Sequence, residues 1–147
     1  MSALVVDASV AVKWFVSQDA SDQAERILAS AHVLHAPDLM RIEAANGFWK
    51  HVTAGHIQLD QARQAIGELS RVINVWHGSA DLLGPAFTIS HELGHPIYDC
   101  IYLALASALD APMVTADARL LARVAESTHS RSCVALEEFS ARIAQRP

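Results

Sequence analysis

Charge and cysteine are both scarce in this chain. Only 18% of its 147 residues are charged while 52% are hydrophobic, a balance that excludes a disordered, charge-solvated polymer. The two cysteines, Cys100 and Cys133, lack metal-ligand spacing and are too few for a disulfide framework, so two small buried side chains are expected. No apolar run approaches the roughly 20 residues that a membrane-spanning helix needs. The amino terminus has no basic stretch followed by a long apolar one, so no secretory signal is expected and the protein is read as cytoplasmic, without membrane association. Excess positive charge is missing too. The formal net charge is −5, the wrong sign for holding nucleic acid by bulk attraction, and any phosphate-bearing substrate then needs a local basic rim or bridging cations. With no repeats, low-complexity tracts or linkers, residues 1–147 are expected to form one domain.

What is present is an alternation of short apolar runs and longer helical patterns. The predicted strands are Ala3–Val6, His32–His35, Val72–Trp76, Pro112–Thr115 and Cys133–Ala135. Ala11, Phe15 and Val16 share one helical face, and Ala24, Ile27, Leu28 and Ala31 another. A helix from about Leu39 to Val52 is expected to bury Ile42, Ala45, Trp49 and Val52, with Gly55 placed to stop it. Leu59–Arg71, Leu82–Glu92, Ile97–Leu109, Ala118–Glu126 and Glu137–Ala144 follow the same periodicity. Strands alternating with helices predict an α/β fold: three α/β/α layers around a short, mostly parallel sheet of four or five strands.

Most of the 16 acidic residues suit helix starts or solvated helix faces. Four stand apart. Asp7 ends the run Leu4-Val5-Val6, where a rigid strand opens toward solvent, although it could also cap the helix beginning near Ser9. Glu43 shares a helical stripe with Asn46 and Lys50, which an exposed Glu–Lys face would equally produce. Asp99 falls in the opening turn after Pro96, the expected first helical position; the helix dipole favours an anion there, yet Ile97, Tyr98, Ile101 and Tyr102 crowd it. Asp117 closes Met113-Val114-Thr115-Ala116-Asp117 and could be a helix cap. If the four converge, the chemistry is constrained. Two carboxylates ~5 Å apart repel by roughly 3 kcal/mol at an effective dielectric of about 20. Such a cluster protonates or binds a hard cation, and all-oxygen ligands favour Mg²⁺ or Mn²⁺. A cation held in this way can activate a water and neutralise charge on a phosphoryl group, which is the chemistry of phosphodiester hydrolysis.

These pieces, taken in order, resemble the PIN-domain family, and specifically the VapC-type ribonuclease toxins of toxin–antitoxin pairs. The segments that carry the resemblance are Val5-Val6-Asp7-Ala8-Ser9-Val10-Ala11-Val12-Lys13-Trp14-Phe15, Ala36-Pro37-Asp38-Leu39 leading to Glu43-Ala44-Ala45-Asn46, Tyr98-Asp99-Cys100-Ile101-Tyr102-Leu103-Ala104-Leu105-Ala106, and Val114-Thr115-Ala116-Asp117. The resemblance implies that Asp7, Glu43, Asp99 and Asp117 surround Mg²⁺ or Mn²⁺, with Ser9, Asn46 and Thr115 in support. It also implies a parallel sheet flanked by helices, a homodimer, metal-dependent endonucleolytic cleavage of RNA, and a cognate VapB-type antitoxin that masks the site. Ser17-Gln18-Asp19 is less acidic than the family pattern leads one to expect, but the quartet does not depend on it.

Two alternatives have to be weighed. His91-Glu92-Leu93-Gly94-His95 matches the H-E-x-x-H signature of zinc peptidases, but Gly94 and Pro96 predict a helix end there, and the third histidine of the longer signature is replaced by Ile101. A non-catalytic PIN-like module that binds RNA or a protein without cutting is the other. His32, His35, His51, His56, His77 and His129 show no clustered spacing and are read as surface or packing residues, and Trp14, Trp49 and Trp76 as core or dimer-interface residues. Lys13, Arg41, Lys50 and Arg119 flank the acidic motifs and are the candidates for RNA-backbone contacts.

Overall fold

Leu4, Val5 and Val6 of strand β1 (Ala3–Val6) are all 0% exposed. Successive strand residues face opposite sides of a sheet, so β1 is covered on both faces, which is the signature of a three-layer arrangement. The computed structural model describes residues 2–146. Within them β1 lies at the centre of a five-stranded sheet whose paired strands are all parallel, with β2 (Val33–Pro37), β3 (Val75–His77), β4 (Met113–Thr115) and β5 (Cys133–Ala135) in the order β3-β2-β1-β4-β5. β1 pairs with β2 through Leu4 and Leu34 and with β4 through Val6 and Val114.

Helices fill the crossovers: α1 (Ala8–Ala11), α2 (Ser21–Ala29), α3 (Leu39–Thr53), α4 (Leu59–Val72), α5 (Leu83–Leu93), α6 (Ile97–Leu109) and α7 (Ala118–Ala125), while α8 (Leu136–Ala144) follows β5. α6 packs across β1, β2 and β4 and carries an unbroken buried run from Cys100 to Ala106, which makes it the helix at the heart of the core. No described helix is long and apolar enough to cross a membrane.

Several details differ from the periodicity. In α3 the buried stripe is Met40, Ala44 and Phe48, while Ile42 and Trp49 are 71% and 61% exposed. Apolar residues run almost round this helix, so two stripes compete. Packing decides between them: Phe48 meets Phe15 edge-on at 5.8 Å, and Gly47 lies against Val12. The third strand begins at Val75, since Val72 completes α4 and Asn74 bonds Leu34 through both its backbone N–H and its side-chain Oδ1. The first helical face breaks after Ala11 into a 3-10 turn over Val12–Trp14. In α2, Ala24 and Ile27 are buried, Leu28 is half-exposed, and Ala31 lies beyond the helix end. Two histidine pairs also form that sequence spacing concealed: His35 Nδ1 lies 2.9 Å from His77 Nε2 across neighbouring strands, and His51 Nδ1 lies 2.9 Å from His56 Nδ1.

Candidate active site

The carboxyl end of β1 delivers Asp7 into the sheet's edge, where its N–H donates to Val114 of β4 at 3.1 Å. Asp7 occupies the N-cap position of α1, yet its side chain makes no capping bond. Instead its Oδ2 accepts from Ser9 Oγ at 2.6 Å and from Thr115 Oγ1 at 2.7 Å, and the residue is only 4% exposed. Each hydroxyl in turn accepts a backbone N–H, Ser9 from Ala116 and Thr115 from Asp117, both at 3.0 Å. A hydroxyl has one proton, and both protons here are spent on Asp7, so the carboxylate is fixed to the turn that follows β4.

The other three acids arrive from three separate helices. Glu43, on α3, accepts from the Tyr102 hydroxyl at 2.7 Å through Oε1, and Tyr102 is fully buried in α6. Asp99 stands in the first turn of α6, whose bounds are those the periodicity predicted, with Pro96 as N-cap rather than in the expected first helical position. Its Oδ2 lies 2.6 Å from His95 Nε2. Asp117 is a true N-cap: its Oδ1 accepts from the N–H groups of Arg119 and Leu120 at the start of α7. Asp7, Glu43, Asp99 and Asp117 all line one cleft of about 420 Å³, together with Ser9, Lys13, Asn46 and Gly47. A Cβ built on Gly47 would sit 3.0 Å from a Val12 methyl, so the missing side chain is what allows α3 to approach the segment after β1.

Electrostatically the cleft is short of positive charge. Burial pushes the Asp7 carboxyl up to about 6; the Ser9 and Thr115 hydroxyls oppose this, and the charges of Asp99 and Asp117 add to it. Burial also raises Glu43, to about 7, against the Tyr102 bond and with the help of Asp7 and Asp99. Tyr102 is held well above its ordinary value by burial and then by Asp7 and Glu43, so it remains a donor. The two cysteines are buried free thiols pushed up to about 11 (Cys100) and about 12 (Cys133), chiefly by burial, and offer no thiolate. Lys13, the one Lys or Arg among the residues lining the cleft, donates its Nζ to the Asp19 carbonyl at 2.8 Å.

An all-oxygen set of carboxylates, with Asp7 and Glu43 raised by burial, suits a hard divalent cation. Among the described residues no three His, Cys, Asp or Glu side chains are already gathered as a metal cluster. Four acids lining one cleft would suit a hydrated ion that takes one or two carboxylates directly and completes its shell with water, the habit of Mg²⁺. Asn46 lines the same cleft. Of the basic candidates, Lys13 lines it and Arg119 lines a neighbouring one. Lys50 is exposed on α3 outside both, and Arg41 stacks 3.9 Å over the Trp76 ring and bonds Ser70. The H-E-x-x-H reading fails on geometry: α5 ends at Leu93, Gly94 turns left-handed at φ 58°, and His95 bonds Asp99 while Glu92 meets His129 at 3.2 Å. Sequence reasoning missed Tyr102 and His95 as carboxylate partners. The four-residue step from His95 to Asp99 was the available signal.

Fold and cleft together define a class: parallel α/β proteins with a carboxylate cluster beyond the carboxyl ends of their central strands. The chain belongs to the PIN domain family, whose model matches residues 4–127. It is 36% identical over 119 residues to Ribonuclease VapC3 of Pyrobaculum aerophilum, covering 80% of this chain and 91% of that one. Among solved structures it is similar to PAE2754 from Pyrobaculum aerophilum, with a TM-score of 0.74 at 20% identity over 99% of this chain and 91% of the other. It is also similar to a toxin–antitoxin complex from Klebsiella pneumoniae, with a TM-score of 0.66 at 17% identity over 90% and 97%.

Proposed function

We propose that this protein is a metal-dependent endoribonuclease, the toxin of a toxin–antitoxin pair, acting in the cytoplasm as a single-domain chain that forms a homodimer. The observation that carries the reading is Asp7: a buried carboxylate released from any capping role, pinned by two hydroxyls, and sharing one cleft with three other acids. The name of the Pyrobaculum relative supports RNA as substrate, and that of the Klebsiella complex supports an antitoxin partner, for which the family resemblance implies the VapB type.

Asp7, Glu43, Asp99 and Asp117 would hold Mg²⁺ or Mn²⁺. The bound ion supplies charge neutralisation at the phosphoryl group and activation of an attacking water. The chain's own work is positional. Ser9 and Thr115 fix the direction of Asp7, Tyr102 holds Glu43 Oε1, and Asn46 offers an amide at the cleft wall. No protein nucleophile is required.

Incubation of the purified protein with RNA is expected to give cleavage in Mg²⁺ or Mn²⁺ and none in excess EDTA. Undiminished cleavage in EDTA would rule out the metal. RNA binding without turnover at any Mn²⁺ concentration would instead favour the non-catalytic module. Tyr102→Phe keeps the ring but removes the donor from Glu43, and partners of this kind typically contribute 10–100-fold to metal affinity. Titration calorimetry should therefore find Mn²⁺ binding weaker by about that factor, whereas unchanged binding would detach Tyr102 from the site.

A further inference from the structure

A second cleft, of about 550 Å³, opens beside the acidic one and is lined by Gly94, His95, Pro96, Arg119, Ala122, Arg123 and Glu126. His95 belongs to its wall while its Nε2 bonds Asp99, which lines the acidic cleft, so one histidine–aspartate contact forms the partition between the two. Arg119 and Arg123 are one helical turn apart on α7, which brings them to the same face. Both are exposed, and neither forms an ion pair among the described residues. By contrast Arg63 pairs with Asp60, Arg142 with Glu138, and Arg41 is stacked on Trp76. Glu126 is the one acid among the lining residues. The Arg119 N–H also holds Asp117 Oδ1, so the helix bearing the two guanidiniums is tied to the acidic centre.

We infer that this second cleft is an RNA-backbone subsite, in which Arg119 and Arg123 bind a phosphate adjoining the one at the four acids. The inference rests on the nuclease reading and deepens it. It answers the problem set by a chain of net charge −5: the attraction for a polyanion is local and lies next to the acids. Arginine suits the task because its planar fork pairs with phosphate oxygens.

The test uses a labelled single-stranded RNA and full-length protein carrying Asp7→Asn, so that binding is read without cleavage. Adding Arg119→Ala and Arg123→Ala should weaken binding about tenfold or more. The slope of log affinity against log salt should shrink by about 0.7, the value for one phosphate contact on a single strand. The double control Arg63→Ala, Arg142→Ala changes net charge equally and should leave both quantities unchanged. In the otherwise wild-type enzyme, the Arg119/Arg123 pair of changes should raise KM and spare kcat. An unaltered salt slope overturns the subsite, as does an equal loss from the control pair. Loss of antitoxin binding with RNA binding intact would assign the cleft to a protein partner and overturn it too. If the wild type cleaves no RNA yet binding depends on the two arginines, the nuclease reading falls and the RNA contact stands.

Discussion

Asp7→Asn should reduce RNA cleavage by at least about a thousandfold, some 4 kcal/mol of transition-state stabilisation, while the fold persists. Asparagine has the same shape, and its Oδ1 can accept the Ser9 and Thr115 protons that now converge on Asp7 Oδ2. What disappears is a charge at the most buried of the four acids, the one whose direction the surrounding network fixes most completely. Several kcal/mol is the scale of a metal's contribution to phosphoryl chemistry, so losing an anchor for the ion should remove most of it. Steady-state cleavage beside a circular dichroism spectrum decides the matter. Full activity in the variant would leave the proposed centre without its main ligand.

The second large effect concerns stability without metal. Folding raises Asp7 from its ordinary 3.8 to about 6, so the folded chain holds that proton more tightly than the unfolded one. The resulting stabilisation is complete below pH 3.8 and is lost as pH rises through about 6. A shift of this size corresponds to about 3 kcal/mol, or roughly 6–12 °C in Tm for a chain of this length. Glu43, raised to about 7, acts in the same direction over a slightly higher window. His32, His35 and His51 are lowered by burial and pull the opposite way below their ordinary 6.5, so the informative quantity is the difference between wild type and Asp7→Asn. In EDTA, Asp7→Asn should gain on the wild type as pH climbs from 4 to 8. Added Mn²⁺ should then restore the wild type, by about 2.7 kcal/mol at a hundred times its Kd. A difference that stays flat with pH would show that Asp7 ionises without penalty.

How much of this is legible in the sequence varies with locality. β1, β4 and β5 can be read from their residues because each is a short apolar run bounded by a turn, and Asp7 and Asp117 declare themselves by ending two of them. Gly55, at φ 80°, stops α3 as its position suggested. The face of α3 could not be read, because Ile42 and Trp49 are as apolar as Met40 and Phe48 and only the contacts with Val12 and Phe15 separate them. The partners of the acids are hidden for another reason. Tyr102 reaches Glu43 across 59 positions and Thr115 reaches Asp7 across 108, and no local pattern encodes such pairings.

That last separation has a consequence in time. β1 lies in the middle of the sheet, yet one of its two neighbours, β4, supplies Thr115, which follows Asp7 by 108 positions. At ordinary translation speeds of about 5–20 residues per second, Asp7 waits roughly 5–20 s on the ribosome before Thr115 and Asp117 emerge to join it. Until then the four acids have no common cleft.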